Sequence, residues 1–177
     1  TNVDTNSRIV CYDIRDLGKQ LQPVGMLVVL DSVFNRIIRN RKLGKSTWVY
    51  IDEIYLLFQH EYSANFLFTL WKRVRKYGAC CTGLTQNVDD LLQSHTARTM
   101  LANSEFLVML NQAATDRAEL ANLLNISDNQ LSYITNVDSG RGLIKCGSAI
   151  VPFMNSFPKN RLYQLMTTRP SETMAAA

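Results

Sequence analysis

The sequence has few of the residues that would mark a zinc protein, a disulfide-linked protein or a chain of several linked domains. Among its 177 residues are two His and four Cys, and the Cys form neither a CxxC pair nor a set with a nearby His. Three of the four lie in apolar segments that we expect to be buried strands, which suits free Cys in a reducing cytoplasm. No Pro- or Gly-rich linker interrupts the chain, so we predict one domain over residues 1–170 and a tail over 171–177.

Long hydrophobic runs are also scarce. The longest strongly apolar stretch, residues 24–34, is interrupted by Asp31 and is too short to span a bilayer. The polar residues 1–6 do not resemble a secretory signal. With 46% hydrophobic and 19% charged residues, the composition is that of a globular protein. We therefore expect no integral membrane segment.

The net charge of +4 is modest, but the positive charges are grouped. Two basic runs contain nine of the 19 Lys and Arg residues: Arg36, Arg39, Arg41, Lys42 and Lys45 in the first, and Lys72, Arg73, Arg75 and Lys76 in the second. Such runs can contact the phosphates of a nucleotide or of nucleic acid. Solvated helix ends give the same pattern, so this interpretation stays open at the level of sequence.

Apolar runs of strand length alternate with segments of helical period, which predicts an α/β fold with a parallel sheet. The predicted strands are residues 8–14, 47–51, 80–85 and 105–110, with a hairpin of 141–145 and 149–153 around Gly147-Ser148. The first predicted helix begins at Pro23. The others cover residues 62–76, 87–92, 95–103, 113–124 and 128–134, the last with Ser127 as N-cap.

The strongest chemical signal is residues 48–53, Trp-Val-Tyr-Ile-Asp-Glu. Four bulky apolar residues predict a buried strand, and Asp52 and Glu53 follow where it leaves the sheet, the end at which α/β proteins bind ligands. An acid there can hold Mg²⁺ through water, and a second can polarise a water for phosphoryl transfer. Alternatively, the two acids only begin a helix.

A second signal follows about thirty residues later. The strand beginning at Cys80 ends in Thr85-Gln86-Asn87, and parallel strands deliver their C-terminal residues to one edge. Gln86 is therefore expected beside Asp52 and Glu53, where an amide can contact the γ-phosphate and the attacking water. Capping of the next helix by Thr85 or Asn87 is the alternative.

One motif is misleading. Gly44-Lys45-Ser46-Thr47 resembles the end of the phosphate-binding loop GxxxxGK[ST], but Arg39 stands where the first Gly is required. The run also precedes a predicted strand rather than a helix, so no helix N-terminus would face the phosphates. The chain as given therefore has no Walker A motif.

Four segments, residues 13–37, 46–58, 70–92 and 104–127, resemble a known family. They include the Asp-Glu pair, the basic helix end WKRVRK and the TQN triplet. They resemble the C-terminal, AAA-like ATPase domain of conjugative transfer and type IV secretion ATPases, the TraE/TraC-like and VirB-type proteins of the HerA–FtsK branch of RecA-like P-loop motors. The resemblance implies a RecA-like P-loop NTPase core, a largely parallel sheet flanked by helices with a C-terminal β-hairpin, here without its Walker A half.

The resemblance also implies roles. Asp52 corresponds to the Walker B residue on the Mg²⁺ side, Glu53 to the catalytic base, and Gln86, with Thr85 beside it, to the glutamine sensor. Arg73 and Arg75 are candidates for an arginine acting on a neighbouring subunit, with Arg117 and Arg141 as further candidates. The implied ligands are ATP and Mg²⁺, both only together with the missing P-loop half. The implied partners are other transfer-machinery subunits, a coupling protein and further copies in a hexamer or dimer, at the cytoplasmic face of the membrane.

Because the P-loop is absent from the chain, we expect little or no ATP turnover by it alone. Two other functions stay open. The chain could be a non-catalytic interaction module of the transfer machinery. It could also be a relative of DNA translocases or coupling proteins, which would require salt-dependent DNA binding through Arg41, Lys42 or Lys45.

Overall fold

The computed structural model describes residues 7–86 and 88–167. The predicted tail, the polar residues 1–6 and the predicted helix start at Asn87 lie outside these residues. The chain divides into two compact units, Thr1–Leu101 and Ala102–Ala177. That residues 1–170 form one domain stays a prediction.

The described residues of the first unit form two strands and four α-helices. In chain order these are α1 (Gly18–Lys42), β1 (Thr47–Ile51), α2 (Glu61–Arg73), β2 (Ala79–Gly83), α3 (Val88–Gln93) and α4 (His95–Ala102). Three 3-10 helices, Arg15–Leu17, Ile54–Phe58 and Val74–Tyr77, connect them. The strands β1 and β2 pair in parallel, from Thr47 opposite Ala79 to Ile51 opposite Gly83. The predicted parallel pairing is therefore present.

One face of this strand pair packs against the helices. Val49, Ile51 and Cys81 contact a core that contains the fully buried Leu67 and Ile37. The burial of β1 alternates along its length, as expected when successive side chains point to opposite faces. Trp48 and Tyr50 on the other face are 64% and 66% exposed.

The second unit contains an antiparallel sheet in the order β3-β4-β5. Its elements are β3 (Phe106–Met109), α5 (Ala114–Leu124), α6 (Asp128–Leu131), a 3-10 helix (Ser132–Ile134), β4 (Arg141–Cys146), β5 (Ala149–Met154) and α7 (Arg161–Met166). The predicted hairpin is confirmed, with Cys146 opposite Ala149 around Gly147-Ser148. Ser127 is confirmed as an N-cap: it forms a capping box with Gln130.

Several predicted elements differ from the structure. Residues 8–14 form no strand, because side chains rather than a strand ladder attach this segment to α1: the Tyr12 hydroxyl lies 3.0 Å from Ser32 Oγ, and Arg36 donates to the Ser7 carbonyl. The helix predicted from Pro23 begins five residues earlier, at Gly18, with Pro23 inside it. The segment after residue 157 contains the unpredicted α7.

Helix α1 bears on the expectation that the chain has no integral membrane segment. Over Gln20–Lys42 it is long and apolar enough, by length and composition only, to cross a membrane. Its buried residues Met26, Leu30 and Ile37 belong to the core of the first unit. A helix that packs in a protein core can be equally long and equally apolar, so these two properties do not by themselves indicate a membrane span.

The cysteines are not mainly buried, contrary to expectation. All four are free, and Cys11, Cys80 and Cys146 are exposed. Cys80 lies on the exposed face of β2, opposite Trp48, and Cys11 lies outside any strand. Only Cys81 contacts the core, because alternate residues of a strand face opposite sides of the sheet.

Candidate functional site

Two adjacent acids leave the sheet directly after β1. Leu84, one residue beyond β2, bonds to both sides of them: its N–H donates to the Ile51 carbonyl at 2.8 Å, and its carbonyl accepts from the Ile54 N–H at 2.9 Å. Asp52 and Glu53 therefore bulge out of the strand pair between these two hydrogen bonds, much as extra residues do in a β-bulge. We call Asp52 and Glu53 the acidic bulge.

The backbone of the acidic bulge is unusual. Glu53 has φ 47° and ψ 49°, a left-handed conformation that costs a non-Gly residue about 1–2 kcal/mol. This conformation reverses the chain into the 3-10 helix Ile54–Phe58, whose first residue is only 5% exposed. The Glu53 N–H donates to Asp52 Oδ1 at 3.1 Å. A short turn thus holds both carboxylates at the C-terminal end of β1.

Gln86 lies beside this bulge, as its position after β2 predicted. Its backbone N–H donates to Glu53 Oε2 at 3.5 Å, a long contact on the surface of the unit. This contact uses the main chain of Gln86; that its side-chain amide contacts a phosphate and the attacking water stays a prediction. Asp52 and Gln86 are exposed, while Glu53 and Thr85 are half-buried. The four residues therefore meet at one edge, open to solvent.

Gly83 positions this edge, and the sequence analysis did not identify it. A Cβ on Gly83 would lie 2.5 Å from Ile54 Cδ1 and 3.3 Å from Ile54 Cγ2. A side chain on the last residue of β2 would therefore require the Ile54 side chain to move, so Gly lets the turn after Glu53 pack tightly against β2. A Gly at the end of a predicted strand, two residues before a polar triplet, is the signal that could have indicated this close approach.

The donor set of the acidic bulge fits Mg²⁺ better than a transition metal. Among the described residues there is no group of three or more His, Cys, Asp or Glu that could hold a metal ion. Mg²⁺ does not need such a cage, because it keeps several waters and uses one or two carboxylates with substrate phosphates. Asp52 and Glu53 provide two carboxylates without a cage.

Arg73 and Arg75 lie at the other end of the strand pair. Arg73 ends α2 and Arg75 lies in the 3-10 helix Val74–Tyr77, just before β2 begins. Both are exposed. Five-residue strands separate their two ends by about 13 Å. The structure therefore does not bring these arginines to the acidic bulge of the same chain.

The Gly-Lys-Ser-Thr run occupies the position that the sequence predicted. It connects the end of α1 to β1, with Gly44 at φ 68° and the Gly44 N–H donating to the Arg41 carbonyl at 3.0 Å. A left-handed Gly after the last helical residues is a common helix C-terminus. The segment leads from helix to strand, the reverse of the order that points helix N–H groups at a phosphate.

Comparison with known proteins identifies the family of the chain. The structure is similar to that of VirB4 of Thermoanaerobacter pseudethanolicus, with a TM-score of 0.79 and 24% sequence identity. The match covers 90% of this chain and 44% of VirB4, so the chain spans less than half of that relative. No curated protein sequence matches the chain.

The family model described as the TraG P-loop domain matches residues 2–144. Together with the VirB4 fold, this match confirms the resemblance to the ATPase domain of conjugative transfer and type IV secretion proteins. Because the family model covers most of the sequence, the chain belongs to the TraG P-loop domain family.

Proposed function

We propose that the chain is the catalytic part of an ATPase domain that powers conjugative transfer or type IV secretion. The observation that supports this function best is the acidic bulge, with the backbone of Gln86 hydrogen-bonded to Glu53. Two carboxylates and a polar strand end at the C-terminal edge of parallel strands form a suitable surface for a nucleotide with its metal ion.

In this proposal Asp52 holds Mg²⁺ through water. Its side chain is exposed at the edge, where ligand waters fit between the carboxylate and the ion. Bound Mg²⁺ would neutralise charge on the ATP phosphates.

Glu53 acts as the general base in the same scheme. Its Oε2 accepts the Gln86 N–H, which leaves Oε1 to accept a proton from the attacking water. Thr85 and the Gln86 side chain are proposed to contact the nucleotide phosphates.

Arg73 and Arg75 are proposed to act on a neighbouring subunit. Their distance from the acidic bulge of their own chain, about 13 Å or more along the strands, is compatible only with contact in another copy. An arginine supplied in this way stabilises transition-state charge in related phosphoryl-transfer enzymes. This role requires a hexamer or dimer. The other proposed partners are transfer-machinery subunits and a coupling protein, at the cytoplasmic face of the membrane.

The phosphate cradle must come from outside these 177 residues, since the chain contains no GxxxxGK[ST]. The coding sequence upstream of Thr1 should therefore be read for this motif. If it is present, the encoded protein should hydrolyse ATP with Mg²⁺, and Glu53→Gln should abolish turnover but retain ATP binding. Glu61→Gln, at an exposed residue that begins α2, is the matched control.

Two outcomes would contradict the proposal. Turnover that survives Glu53→Gln would remove Glu53 as the base. A coding sequence without the motif would favour the non-catalytic interaction module. A third result concerns the chain alone: measurable turnover that Glu53→Gln abolishes would show that no separate cradle is required.

The metal site can be tested on the 177-residue chain itself. Mn²⁺ is a paramagnetic substitute for Mg²⁺ and broadens NMR signals of nearby nuclei even when it binds weakly. We expect the amide signals of Asp52, Glu53 and Gln86 to broaden first, and Asp52→Asn to prevent this. Broadening that begins elsewhere, or that Asp52→Asn leaves unchanged, would contradict a metal site at the acidic bulge.

A further inference from the structure

The first half of α1 carries apolar side chains on the face that points away from the core. The core side is formed by buried residues: Met26, Leu30 and Ile37. On the opposite side four apolar residues are between 38% and 62% exposed: Leu17, Leu21, Val24 and Val28. Leu17 precedes the helix, and its side chain folds back over Gly25, where a Cβ would overlap Leu17 Cδ1. We call these four exposed residues the apolar patch.

The second half of the same face is polar, as expected for a helix surface in water. The positions that continue the apolar patch at intervals of three or four residues are all exposed and polar: Asp31, Asn35, Arg39 and Lys42. The patch leaves roughly 350 Å² of apolar side chain in solvent, which is the size of the largest patch on many monomers and is often functional. We therefore expect a partner molecule to cover it.

A groove of matching length lies between α1 and α2, with a volume of about 360 Å³. Its walls are mainly apolar: Phe34 from α1, and Tyr62, Phe66 and Leu70 from α2. The Phe34 and Phe66 rings meet edge to face with centroids 6.1 Å apart. Leu21 to Val28 and Tyr62 to Thr69 each span two helical turns, about 10 Å. Such grooves bind helices with apolar residues at this spacing. We call it the α1–α2 groove.

The positions of the patch and the groove favour a second copy of the chain as the partner. The α1–α2 groove ends at Arg73, which is proposed to act on a neighbouring subunit. The apolar patch lies near the acidic bulge: Pro23 and Met26 of the same helix line one pocket together with Leu56. The Leu56 N–H donates to the Glu53 carbonyl at 3.0 Å. A neighbour whose patch occupies the groove therefore brings its acidic-bulge end toward Arg73.

The charge of the helix is compatible with this contact. Residues 20–35 contain a single charged residue, Asp31, so no cation in this stretch of the neighbour repels Arg73. An anionic membrane surface suits the patch less well, because helices that lie in such a surface carry Lys or Arg beside their apolar face. The contact buries roughly 700 Å² in total, less than the 1,200 Å² or so of a stable interface. The chain alone should therefore associate weakly.

We propose that the apolar patch of one copy docks in the α1–α2 groove of the next, in a head-to-tail contact that brings Arg73 toward the neighbour's acidic bulge. Because patch and groove are different surfaces, this contact is heterologous and continues into a ring or a filament. The inference rests on the proposed function for the role of the arginine. The docking itself needs no nucleotide, so it can fail separately from the ATPase.

Sedimentation velocity of the full chain without nucleotide tests the contact. The weight-average sedimentation coefficient of the native chain should rise with concentration. Val24→Glu should weaken this association at least about tenfold, because a carboxylate would be buried without a partner. Thr69→Arg, at an exposed residue of the groove, should weaken it similarly by filling the groove. The matched control is Val151→Glu, the same substitution at a valine of the second unit that is 56% exposed, and it should leave association unchanged.

A mixture of the two variants separates docking from loss of folding. Val24→Glu keeps an intact groove and Thr69→Arg keeps an intact patch. Each variant alone should stay monomeric, whereas the equimolar mixture should form dimers and nothing larger. With ¹⁵N-labelled Val24→Glu and unlabelled Thr69→Arg, the amide signals of Asn65 and Phe66 in the groove should shift, and that of Val28 should not.

Several results would overturn the proposal. They are a native chain that is monomeric at about 1 mM, association that neither variant weakens, and a mixture that stays monomeric. Equal weakening by Val151→Glu would assign the association to the second unit. Co-sedimentation with phosphatidylglycerol vesicles that Val24→Glu prevents, without self-association, would show that the patch binds a membrane. Loss of the ATPase or Mn²⁺ results would contradict the proposed function and leave the docking result standing.

Discussion

The left-handed backbone of Glu53 makes a specific prediction about stability. A non-Gly residue in this conformation costs about 1–2 kcal/mol, and Gly removes that cost. Gly also has more freedom to lose on folding, which offsets about 0.5–1 kcal/mol of the gain. Glu53→Gly should therefore be more stable than Glu53→Ala by roughly 0.5–1 kcal/mol.

The difference in stability between Glu53→Gly and Glu53→Ala reports the cost of the backbone conformation alone. Both substitutions remove the same carboxylate and the same long contact with the Gln86 N–H, which is exposed and 3.5 Å in length. The remaining difference is the Cβ at φ 47°. Glu53→Asn should lie between the two, because Asn tolerates the left-handed region better than Ala.

Urea unfolding followed by tryptophan fluorescence measures this difference in the relevant part of the molecule. The only two Trp residues, Trp48 and Trp71, both lie in the first unit, so the signal reports the unfolding of that unit. With a slope of about 2 kcal/mol per M, the predicted difference moves the midpoint by about 0.3–0.5 M.

Equal stability of the two variants, or higher stability of Glu53→Ala, would refute the reasoning and show that the bulge carries no backbone strain. The expected order would instead show that the chain keeps a destabilising residue where a carboxylate is proposed to act. Strain of this kind collects at functional sites.

Three further predictions concern the core, the thiols and a helix cap. Leu67→Ala, at a fully buried residue, should destabilise the first unit by about 2–5 kcal/mol in the same urea assay. Burial, with a smaller effect of Cys80, raises the pKa of the Cys81 thiol from 9.0 to about 12. At pH 8, three of the four thiols should therefore react with a thiol reagent while Cys81 is protected. The free energy of unfolding measured in urea should fall between pH 9 and 12, because the Cys81 thiol ionises at a lower pH in the unfolded chain than in the folded one. Ser127→Ala removes the capping box, so the Gln130 amide should exchange faster by hydrogen-exchange NMR, with a cost of about 1 kcal/mol.

The elements that the sequence predicted well are those whose signals are local. The strand at residues 47–51 combines β-branched and aromatic residues, and the structure assigns the same bounds to β1. Ser127 and Gln130 have the spacing of a capping box, and the turn at Gly147-Ser148 determines its hairpin. The position of Gln86 beside Glu53 followed from the geometry of parallel strands alone.

The elements that the sequence missed depend on contacts between distant residues. An apolar segment such as residues 8–14 becomes a strand only where another strand pairs with it, and here side chains attach it to α1 instead. The left-handed turn at Glu53 is equally hidden, because Glu has no preference for it. Gly83 leaves room for the Ile54 side chain that follows that turn.

The two ends of the β1–β2 pair have opposite charge for a reason that lies in the fold. In an α/β unit each helix ends where the next strand begins, so the cations favoured at helix C-termini collect at the N-terminal ends of the strands. The turn after β1, at the other end of the pair, carries Asp52 and Glu53. Because the strands separate the two groups by about 13 Å, salt should screen one group from the other. Lys45→Gln/Lys76→Gln should therefore leave the Mn²⁺ broadening at Asp52 unchanged. A change in that broadening would contradict the screening and show that the two charged groups influence one another.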